Sequence, residues 1–346
     1  MIFPPNTTLR LDPQDEYTHT PEAVSNYNES MYFNGFDSRE GVGAWMRIGN
    51  RPNEGHAEMT CCVYLPGGDV GFMYGRPKIA DNRAMEAGGM RFEVLEPFRR
   101  LNVRYKGELL VMKNPHDMAN PSAAFKNNPK RPALIELAFE GISPMHGGEI
   151  VTLDGKPIEL DSKHSVFRGH TEQNMAAQGH ITVDGRRYPV VDGTGYRDKS
   201  WGPRHWHNFF WYRWLPVTFD RNFGVLLSIN GREGDEPHVS GNVLRNGVYE
   251  PVRKIHLQTD WDAQHFHRAF TARFETDQRS YELKARVRTL IPLRHKPLPG
   301  ADPDSYTRIT EALTEYTCEG RTVLGMSEFC DVMTRGIPIS RQLEQA

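Results

Sequence analysis

Tight-turn dipeptides recur along this chain of 346 residues, and they constrain its fold more than any other feature of the sequence. Asp-Gly or Asn-Gly stands between extended runs in EIVTLDGKPIEL, GHITVDGRRYPVV and NVLRNGVYEPV. Two-residue hairpin loops favour these dipeptides because both central residues adopt positive φ. MTCCVYLPGGDVGFMYGRP places a Gly-rich turn in the same setting. The pattern predicts a chain of antiparallel hairpins.

The runs between these turns have the composition of strands. FTARFET, YELKARVRTL and TEYTCEGRTVLGMSEFCD are rich in β-branched and aromatic residues, and many of them alternate with a period of two. The 31 Gly and 24 Pro favour turn-rich β structure over helix. We therefore predict an all-β fold of antiparallel sandwiches or barrels.

The length is sufficient for two domains of ordinary size. We expect a boundary near residue 165, which divides the chain into units of 1–165 and 166–346. Two proline-rich segments, 114–132 and 292–304, are predicted to be long loops of the kind that form lids or interface segments.

Charge and composition exclude several classes of function. The net charge of −2 gives no basic face for phosphate backbones, so no nucleic-acid partner is expected. No apolar run approaches the length of a membrane span, and the N-terminus lacks the pattern of a signal peptide, so we expect a cytoplasmic protein. The four cysteines form no CxxC pair, which favours reduced, buried thiols. No GxGxxG opens a helix, and no cofactor is predicted.

One stretch concentrates the aromatic residues. GYRDKSWGPRHWHNFFWYRW, residues 195–214, contains four of the six Trp and a single acid, Asp198. In one interpretation, Asp198 is ion-paired with Arg197, Lys199 or Arg204 in a core strand. In the other, Asp198 lies at the wall of an aromatic pocket, where burial raises its pKa and keeps a proton available near neutral pH.

The second interpretation suits the protonation of a C=C bond. Aromatic faces stabilise the carbocation that follows. Capture of water then gives hydration, and loss of a proton gives isomerisation or dehydration. In this hypothesis His205 or His207 assists proton transfer, and Arg204 pairs with carboxylates or anchors a polar end of the substrate. The apolar walls are then formed by Trp201, Trp206 and Trp211.

The motif Tyr196-x-Asp198-x-x-Trp201-Gly202, followed by an aromatic strand ending in WYRW, resembles the carotenoid hydratase and AttH-like family. Members of that family are built of two lipocalin-like β-domains. Kievitone hydratase and the lipocalin-like Diels–Alderases of fungi look like more distant relatives. The resemblance implies that Tyr196 and Asp198 are catalytic, and that His170 stands for the His of an upstream His-x-Trp motif. Glu172 replaces the Trp of that motif, which argues against a carotenoid substrate.

Other candidate residues have simpler explanations. His205 with His207, and His265 with His267, form HxH pairs that share a strand face and could ligate a metal. No acid stands at ligand spacing, so we predict local hydrogen bonding and no metal. Glu328 could face the pocket, but a charge on an edge strand is the favoured interpretation.

These observations predict a cofactor-independent hydratase, dehydratase or isomerase that acts on an isoprenoid-, steroid- or polyketide-like substrate. The pocket is expected at the interface of the two domains or at the mouth of a barrel. Two alternatives stay open: a carrier that sequesters a lipophilic ligand, and a pericyclase for which Asp198 is dispensable. The expected partner is a small hydrophobic substrate, and the expected assembly is a monomer or homodimer.

Overall fold

The computed structural model describes residues 6–160, 166–204, 210–231, 236–295 and 305–344. The strands of the first sheet are β1 (Thr7–Arg10), β2 (Tyr27–Asp37), β3 (Val42–Arg51), β4 (His56–Tyr64), β5 (Val70–Gly75), β6 (Met85–Ala87), β7 (Met90–Glu96), β8 (Arg100–Met112), β9 (Lys130–Gly141), β10 (His146–Thr152), β11 (Gly169–Val183) and β12 (Arg186–Pro203). Those of the second are β13 (Trp211–Asp220), β14 (Phe223–Gly231), β15 (His238–Arg245), β16 (Val248–Trp261), β17 (His267–Thr276), β18 (Ser280–His295), β19 (Ser305–Cys318), β20 (Arg321–Thr334) and β21 (Ile337–Pro338). The short helices are 3₁₀ turns at Pro13–Glu16, Pro52–Glu54 and Pro115–Ala119, with α1 (Pro121–Asn127) and α2 (Ile339–Glu344).

Each sheet closes on itself. In the first, β11, β12, β2, β3, β4, β5, β8 and β9 pair in a ring, because β9 pairs with both β8 and β11. In the second, β13 to β20 pair in chain order and β13 returns to β20. Apolar side chains fill both interiors, with Met46 and Phe139 in the first and Phe274 and Tyr316 in the second. The prediction of an all-β chain of two lipocalin-like units is confirmed.

The predicted hairpin turns lie where the dipeptides stand. Asp184 and Gly185, with φ of 51° and 78°, connect β11 to β12. Asn246 and Gly247, with φ of 50° and 82°, connect β15 to β16. Positive φ at both central residues matches the right-handed twist of the flanking strands. These local turns fix the register of long strands over most of their length.

The change of sheet falls between Pro203 and Trp211 and not at residue 165. The strands before residue 165 leave a gap between β2 and β9, and the β11–β12 hairpin closes it by pairing with both. The segment carrying Tyr196 and Asp198 therefore completes the first barrel, whereas the sequence placed it in the second unit.

The proline-rich segment 114–132 contains regular structure where a loop was expected. Its 3₁₀ turn and α1 bury Met118 and Ala124 in the apolar layer between the barrels. The ring of His116 meets Phe266 of the second barrel edge to face, with centroids 4.7 Å apart. The segment is thus part of the interface. In the other segment, β18 continues to His295, and residues 296–304 lie outside the described ranges.

The barrels pack through their outer faces. The first contributes aromatic side chains such as Tyr32, Trp45 and Tyr64, and the second contributes Leu313 and Met326. All four cysteines are buried free thiols. Neither helix in the described ranges has the length and apolar content needed to cross a bilayer.

Candidate functional site between the barrels

Strand β12 has one structural face and one face directed at the second barrel, because successive side chains of a strand point in opposite directions. On the structural face, Arg197 donates to both carboxylate oxygens of Glu16 at 2.6 and 2.7 Å. Lys199 donates to Glu29 at 2.6 Å. Both cations are thus neutralised by other carboxylates and neither pairs with Asp198.

Trp201 also lies on the structural face of β12. Its ring stacks on His19 with centroids 4.3 Å apart, and the ammonium of Lys199 lies 4.8 Å from it. The expected role of Trp201 as a pocket wall beside Asp198 is contradicted by this position, because two residues that differ by an odd number occupy opposite faces of a strand.

Asp198 is paired with His170. Its Oδ2 lies 2.6 Å from His170 Nε2 across the β11–β12 ladder. Within the described ranges, no Arg or Lys side chain reaches ion-pair distance of Asp198. Burial raises the pKa of Asp198, but the hydrogen bond and charge of His170, with the more distant Arg204 and Arg47, outweigh it and the pKa is lowered.

The expectation of an elevated pKa at Asp198 is therefore wrong, because the imidazole of His170 lowers that pKa more than burial raises it. Burial alone lowers the pKa of His170, but Asp198 and the charge of Glu172 reverse this, and the pKa of His170 is raised. The two shifts favour a protonated imidazole held by an ionised carboxylate, with the acidic proton on His170. No hydrogen bond to His170 Nδ1 is present in the described part of the chain.

Glu172 is a second acid of the site, although in the sequence it stands out only as the replacement of a Trp. It stands opposite Asp198 in the ladder, and its Oε1 accepts a hydrogen bond of 2.8 Å from the indole N–H of Trp214. Burial raises its pKa, and the charge of Asp198 adds to the effect against the opposing influence of His170 and Trp214. Trp214 thereby joins the second barrel to the first.

Aromatic rings surround this acid group. Trp214 meets Tyr32 and Tyr196 edge to face, with centroids 5.4 and 5.8 Å away. Burial raises the pKa of Tyr196 well above its usual range, so its phenol stays neutral. Trp211 faces the other side of β13, where it covers the guanidinium of Arg213 at 5.2 Å. Tyr196 lies on the same face of β12 as Asp198, and Tyr32 stands opposite Asp198 in the β2–β12 ladder. Trp214 packs on both tyrosines, and Trp211 does not join them.

Strands β19 and β20 bring two further carboxyl groups to the interface. Glu311 and Glu328 stand directly opposite each other in the ladder, and the phenol of Tyr212 donates a hydrogen bond to Glu328. Burial raises the pKa of Glu328 to about 7, and burial and the charge of Glu328 raise that of Glu311 well above its usual range. The edge-strand interpretation of Glu328 is wrong, since β20 pairs with β13 on one side and β19 on the other.

Several of these side chains keep accessible surface between the two barrels. His170 and Asp198 are deeply enclosed by protein, yet 21% and 26% of their side-chain surfaces are accessible. Arg204, Tyr212 and Glu328 are likewise enclosed and half-buried. We infer from this residual accessibility that these side chains line a recess between the two barrels. Burial and neighbouring Arg47 lower the pKa of Arg204 to about 10.

Three predicted site residues cannot be placed in this recess. His205, Trp206 and His207 lie outside the described residues, between Arg204 and Phe210. Their roles stay predictions. The other HxH pair does not face the recess: His267 bonds Ser327 at 3.1 Å and stacks on Phe329 inside the second barrel. Among the residues that the structure describes, no group of three or more His, Cys, Asp or Glu is placed to hold a metal.

A separate cavity of about 230 Å³ lies at one mouth of the first barrel. Its lining includes Glu16, Tyr17, Met31 and Phe92. The carboxylate of Glu16 is engaged by Arg197 on the structural face of β12. The other carboxylates of the lining, Glu86 and Glu93, contact Arg91, so these two acids are paired with a cation at the surface.

The fold and the recess define a class: proteins of two lipocalin-like barrels with titratable and aromatic side chains at their interface. The chain belongs to the family described as "Domain of unknown function (DUF7064)", whose model matches residues 12–333. No curated protein sequence matches it significantly.

Solved structures share the fold. An AttH-like protein from Nitrosomonas europaea is 13% identical, with a TM-score of 0.59 over 93% of this chain and 96% of the other. CghA with Sch210972 is 11% identical, with a TM-score of 0.51 over 96% and 100%. Kievitone hydratase from Nectria haematococca is 9% identical, with a TM-score of 0.49 over 92% of each chain. For the AttH-like protein and CghA, the likeness at these identities is one of fold, and it agrees with the family resemblance seen in the motif around Asp198.

Proposed function

We propose that this protein is a hydratase, dehydratase or isomerase that acts on a small hydrophobic substrate in the recess between its barrels. The observation that carries the proposal is the His170–Asp198 ion pair beside the rings of Trp214 and Tyr196. The substrate class is isoprenoid-, steroid- or polyketide-like, and the chemistry needs no cofactor.

The proton donor in this proposal is His170. Asp198 stays ionised and fixes the imidazolium, as a carboxylate does for the histidine of a catalytic triad. A proton passes from His170 to one carbon of the C=C bond, whose π electrons form the new C–H bond and leave a carbocation at the other carbon. The faces of neighbouring aromatic rings stabilise that cation.

The cation then follows one of two routes. In hydration, a water oxygen bonds to it and releases a proton to the now neutral His170, which restores the imidazolium. In isomerisation, an adjacent carbon loses the proton to His170 and a new C=C bond forms. Dehydration is the reverse of the first route, with His170 protonating the departing hydroxyl. The neutral phenol of Tyr196 can donate a hydrogen bond to a polar substrate group.

The acid group distinguishes this proposal from a carrier. A lipophilic ligand gains nothing from a buried carboxylate and imidazolium, and each charged group costs desolvation energy when it is enclosed. Retention of both groups in a half-enclosed recess suits catalysis. A pericyclase would fold its substrate without needing Asp198 to be charged.

The test incubates the protein with farnesol, squalene and progesterone in water enriched in oxygen-18, with mass spectrometry and NMR of the products. We expect conversion of at least one probe, and a loss of at least about 100-fold in kcat for His170→Asn and Asp198→Asn. His180→Asn is the matched control, since His180 lies on the same strand and pairs with Glu136 at 3.2 Å away from the recess. Conversion of no probe, or unchanged turnover in both variants, rejects the proposal.

A further inference from the structure

We propose that Glu328, hydrogen-bonded by Tyr212 and opposed by Glu311, is a second proton-transfer group that acts on the substrate from the second barrel. This inference rests on the proposed function and assigns a partner to His170. It divides the chemistry between the two barrels, since His170 and Asp198 belong to the first.

The geometry gives Glu328 a defined environment. β20 is a central strand, so its outward side chains are fixed by pairing on both sides. Tyr212 lies on β13 opposite Cys330 and reaches across to donate to the Glu328 carboxyl. Trp214, which stands opposite Glu328 in the ladder, is the residue that bonds Glu172. One strand therefore links the two acid groups.

Glu311 supplies the second observation. It is 6% exposed, and its Oε2 is a buried oxygen without a hydrogen-bond partner in the described part of the chain. A buried carboxylate with an unsatisfied oxygen is costly, whereas a carboxyl that holds a proton loses most of that cost.

Two carboxyl groups that face each other in a protein interior do not both ionise readily. The titratable groups around this pair are Tyr212 and Cys330 of the second barrel, and Tyr32, Cys62, Tyr64, Asp198, Arg47 and Arg204 of the first barrel and the segment after β12. Only the two arginines are cationic, and neither forms an ion pair with Glu311 or Glu328 within the described ranges. The surroundings therefore favour a pair that holds a proton at neutral pH.

A donor and an acceptor on different barrels allow a proton to cross the substrate. In isomerisation, His170 protonates one carbon of the C=C bond, which leaves a cation at the other carbon. The Glu328 carboxylate then removes a proton from the next carbon beyond that cation, and the new C=C bond forms between these two carbons. In the opposite direction, protonated Glu328 donates and neutral His170 accepts. Exchange with water then returns each group to its starting state, and no electrons or further reactants are required.

The first experiment needs no substrate. Glutamate carrying ¹³C at the side-chain carboxyl is incorporated, and the NMR titration is compared for the wild type, Glu328→Gln, Glu311→Gln and the control Glu315→Gln. Glu315 lies on the same strand as Glu311 but contacts Arg288 at the surface. We expect resonances that titrate at least one pH unit above the usual glutamate value of about 4.3. The Glu328 resonance should vanish in Glu328→Gln, and the Glu311 resonance should then titrate at lower pH, whereas that of Glu172 should persist. Titration of both Glu311 and Glu328 in the usual range overturns the inference.

The second experiment uses whichever probe the wild type converts. We expect kcat to fall at least tenfold in Glu328→Gln, with KM changed less than threefold. In Tyr212→Phe the limb of the pH profile that Glu328 sets should move to higher pH, because the lost hydrogen bond favoured the charged form; this is the acidic limb where Glu328 acts as the base and the alkaline limb where it is the donor. Unchanged kcat in Glu328→Gln beside a large loss in His170→Asn overturns this inference and leaves the proposed function intact. Conversion of no probe rejects both catalytic roles, and the titration alone then shows whether the carboxyl pair holds its proton.

Discussion

Arg197 is among the largest fully buried side chains, and it places a positive charge on the structural face of β12. Glu16 binds it with two hydrogen bonds, and Gln173 Oε1 accepts two more at 3.0 and 2.8 Å. A bidentate pair of this kind tolerates burial only while both partners are present.

Glu16→Gln keeps the shape of the side chain but leaves the guanidinium without its counter-charge. We expect the free energy of unfolding to fall by about 3–5 kcal/mol, measured by urea denaturation followed by Trp fluorescence. The control is Asp277→Asn, which breaks the exposed pair with Arg253 and should leave stability close to that of the wild type. Equal effects of the two substitutions would contradict the role assigned to Glu16.

Gly195 fixes the position of the residue that follows it, Tyr196. A Cβ added to Gly195 would lie 2.1 Å from the carbonyl oxygen of Asn34 on β2, which is a backbone atom and cannot turn aside. We expect Gly195→Ala to separate the two strands locally and to cost about 1–3 kcal/mol or more. Gly75→Ala, where the nearest atom is 3.8 Å away, should be tolerated. Circular dichroism and urea denaturation compare the two, and a Gly195→Ala variant as stable as the control refutes the packing argument.

At the scale of elements, side chains on β12 alternate between two faces, and this separates the residues that stabilise the fold from the residues of the candidate site. Alternate residues place the paired cations against the N-terminal segment, and the residues between them place Tyr196 and Asp198 against the second barrel. The motif Tyr-x-Asp-x-x-Trp therefore contains both kinds of residue. The spacing within the motif already separates Trp201 from Asp198, because residues three apart on a strand lie on opposite faces.

Strand β13 connects the barrels chemically through Trp214. Trp214→Phe removes the hydrogen bond to Glu172 and leaves a buried acceptor unsatisfied, which we expect to cost about 1–3 kcal/mol in urea denaturation. The pKa of Glu172 should rise further, because the lost bond favoured its charged form. Trp261→Phe is the matched control, since the Trp261 indole N–H has no hydrogen-bond partner in the described ranges. An equal loss in both variants would show that ring packing alone accounts for Trp214.

The elements that sequence could predict are those whose signals are local. Asp184-Gly185 and Asn246-Gly247 specify their turns within four residues, and the strands beside them alternate visibly. The closure of the first barrel by β11 and β12 depends on pairing with β9 and β2, and no local signal encodes such long-range partners. The sequence does not assign Glu172 and Glu328 to the site for the same reason: the environment of an acid in a strand depends on the residue that pairs opposite it.

For the whole molecule, the position of the recess follows from how the barrels are filled. Both interiors are mostly apolar, and the charges of Arg197 and Lys199 inside the first barrel are paired with carboxylates there. The titratable and aromatic groups of the site are on the outer faces that meet. The sequence alone allows either the interface or a barrel mouth. The interface contains His170, Asp198, Glu172 and Glu328. The acids that line the cavity of the first barrel are each paired with an arginine: Glu16 with Arg197, and Glu86 and Glu93 with Arg91.

The acids of this interface also determine how stability depends on pH. Glu172, Glu311 and Glu328 have raised pKa values in the folded chain, so the folded state binds protons more tightly than the unfolded state. Their contribution is fully present below the ordinary glutamate pKa and is lost as the pH rises through the folded value, about 7 for Glu328. The raised pKa of His170 acts in the same direction at higher pH. The lowered pKa values of Asp198 and Glu29 act oppositely, and their contribution is lost only in acid.

We therefore expect the free energy of unfolding of the wild type, taken relative to that of Glu328→Gln, to decrease between about pH 5 and pH 8. Histidines with lowered pKa values, such as His267 and His146, act in the opposite direction but act equally in both proteins. A pKa displaced from 4.5 to about 7 corresponds to roughly 3 kcal/mol. Removing the Glu328 charge also lowers the pKa of Glu311, which flattens the curve further. Urea denaturation at pH 5, 6, 7 and 8 measures the difference, with Glu315→Gln expected to follow the wild type. Parallel curves for the wild type and Glu328→Gln would mean that the interface carboxyls are ionised and solvated, and that the recess is open to bulk water.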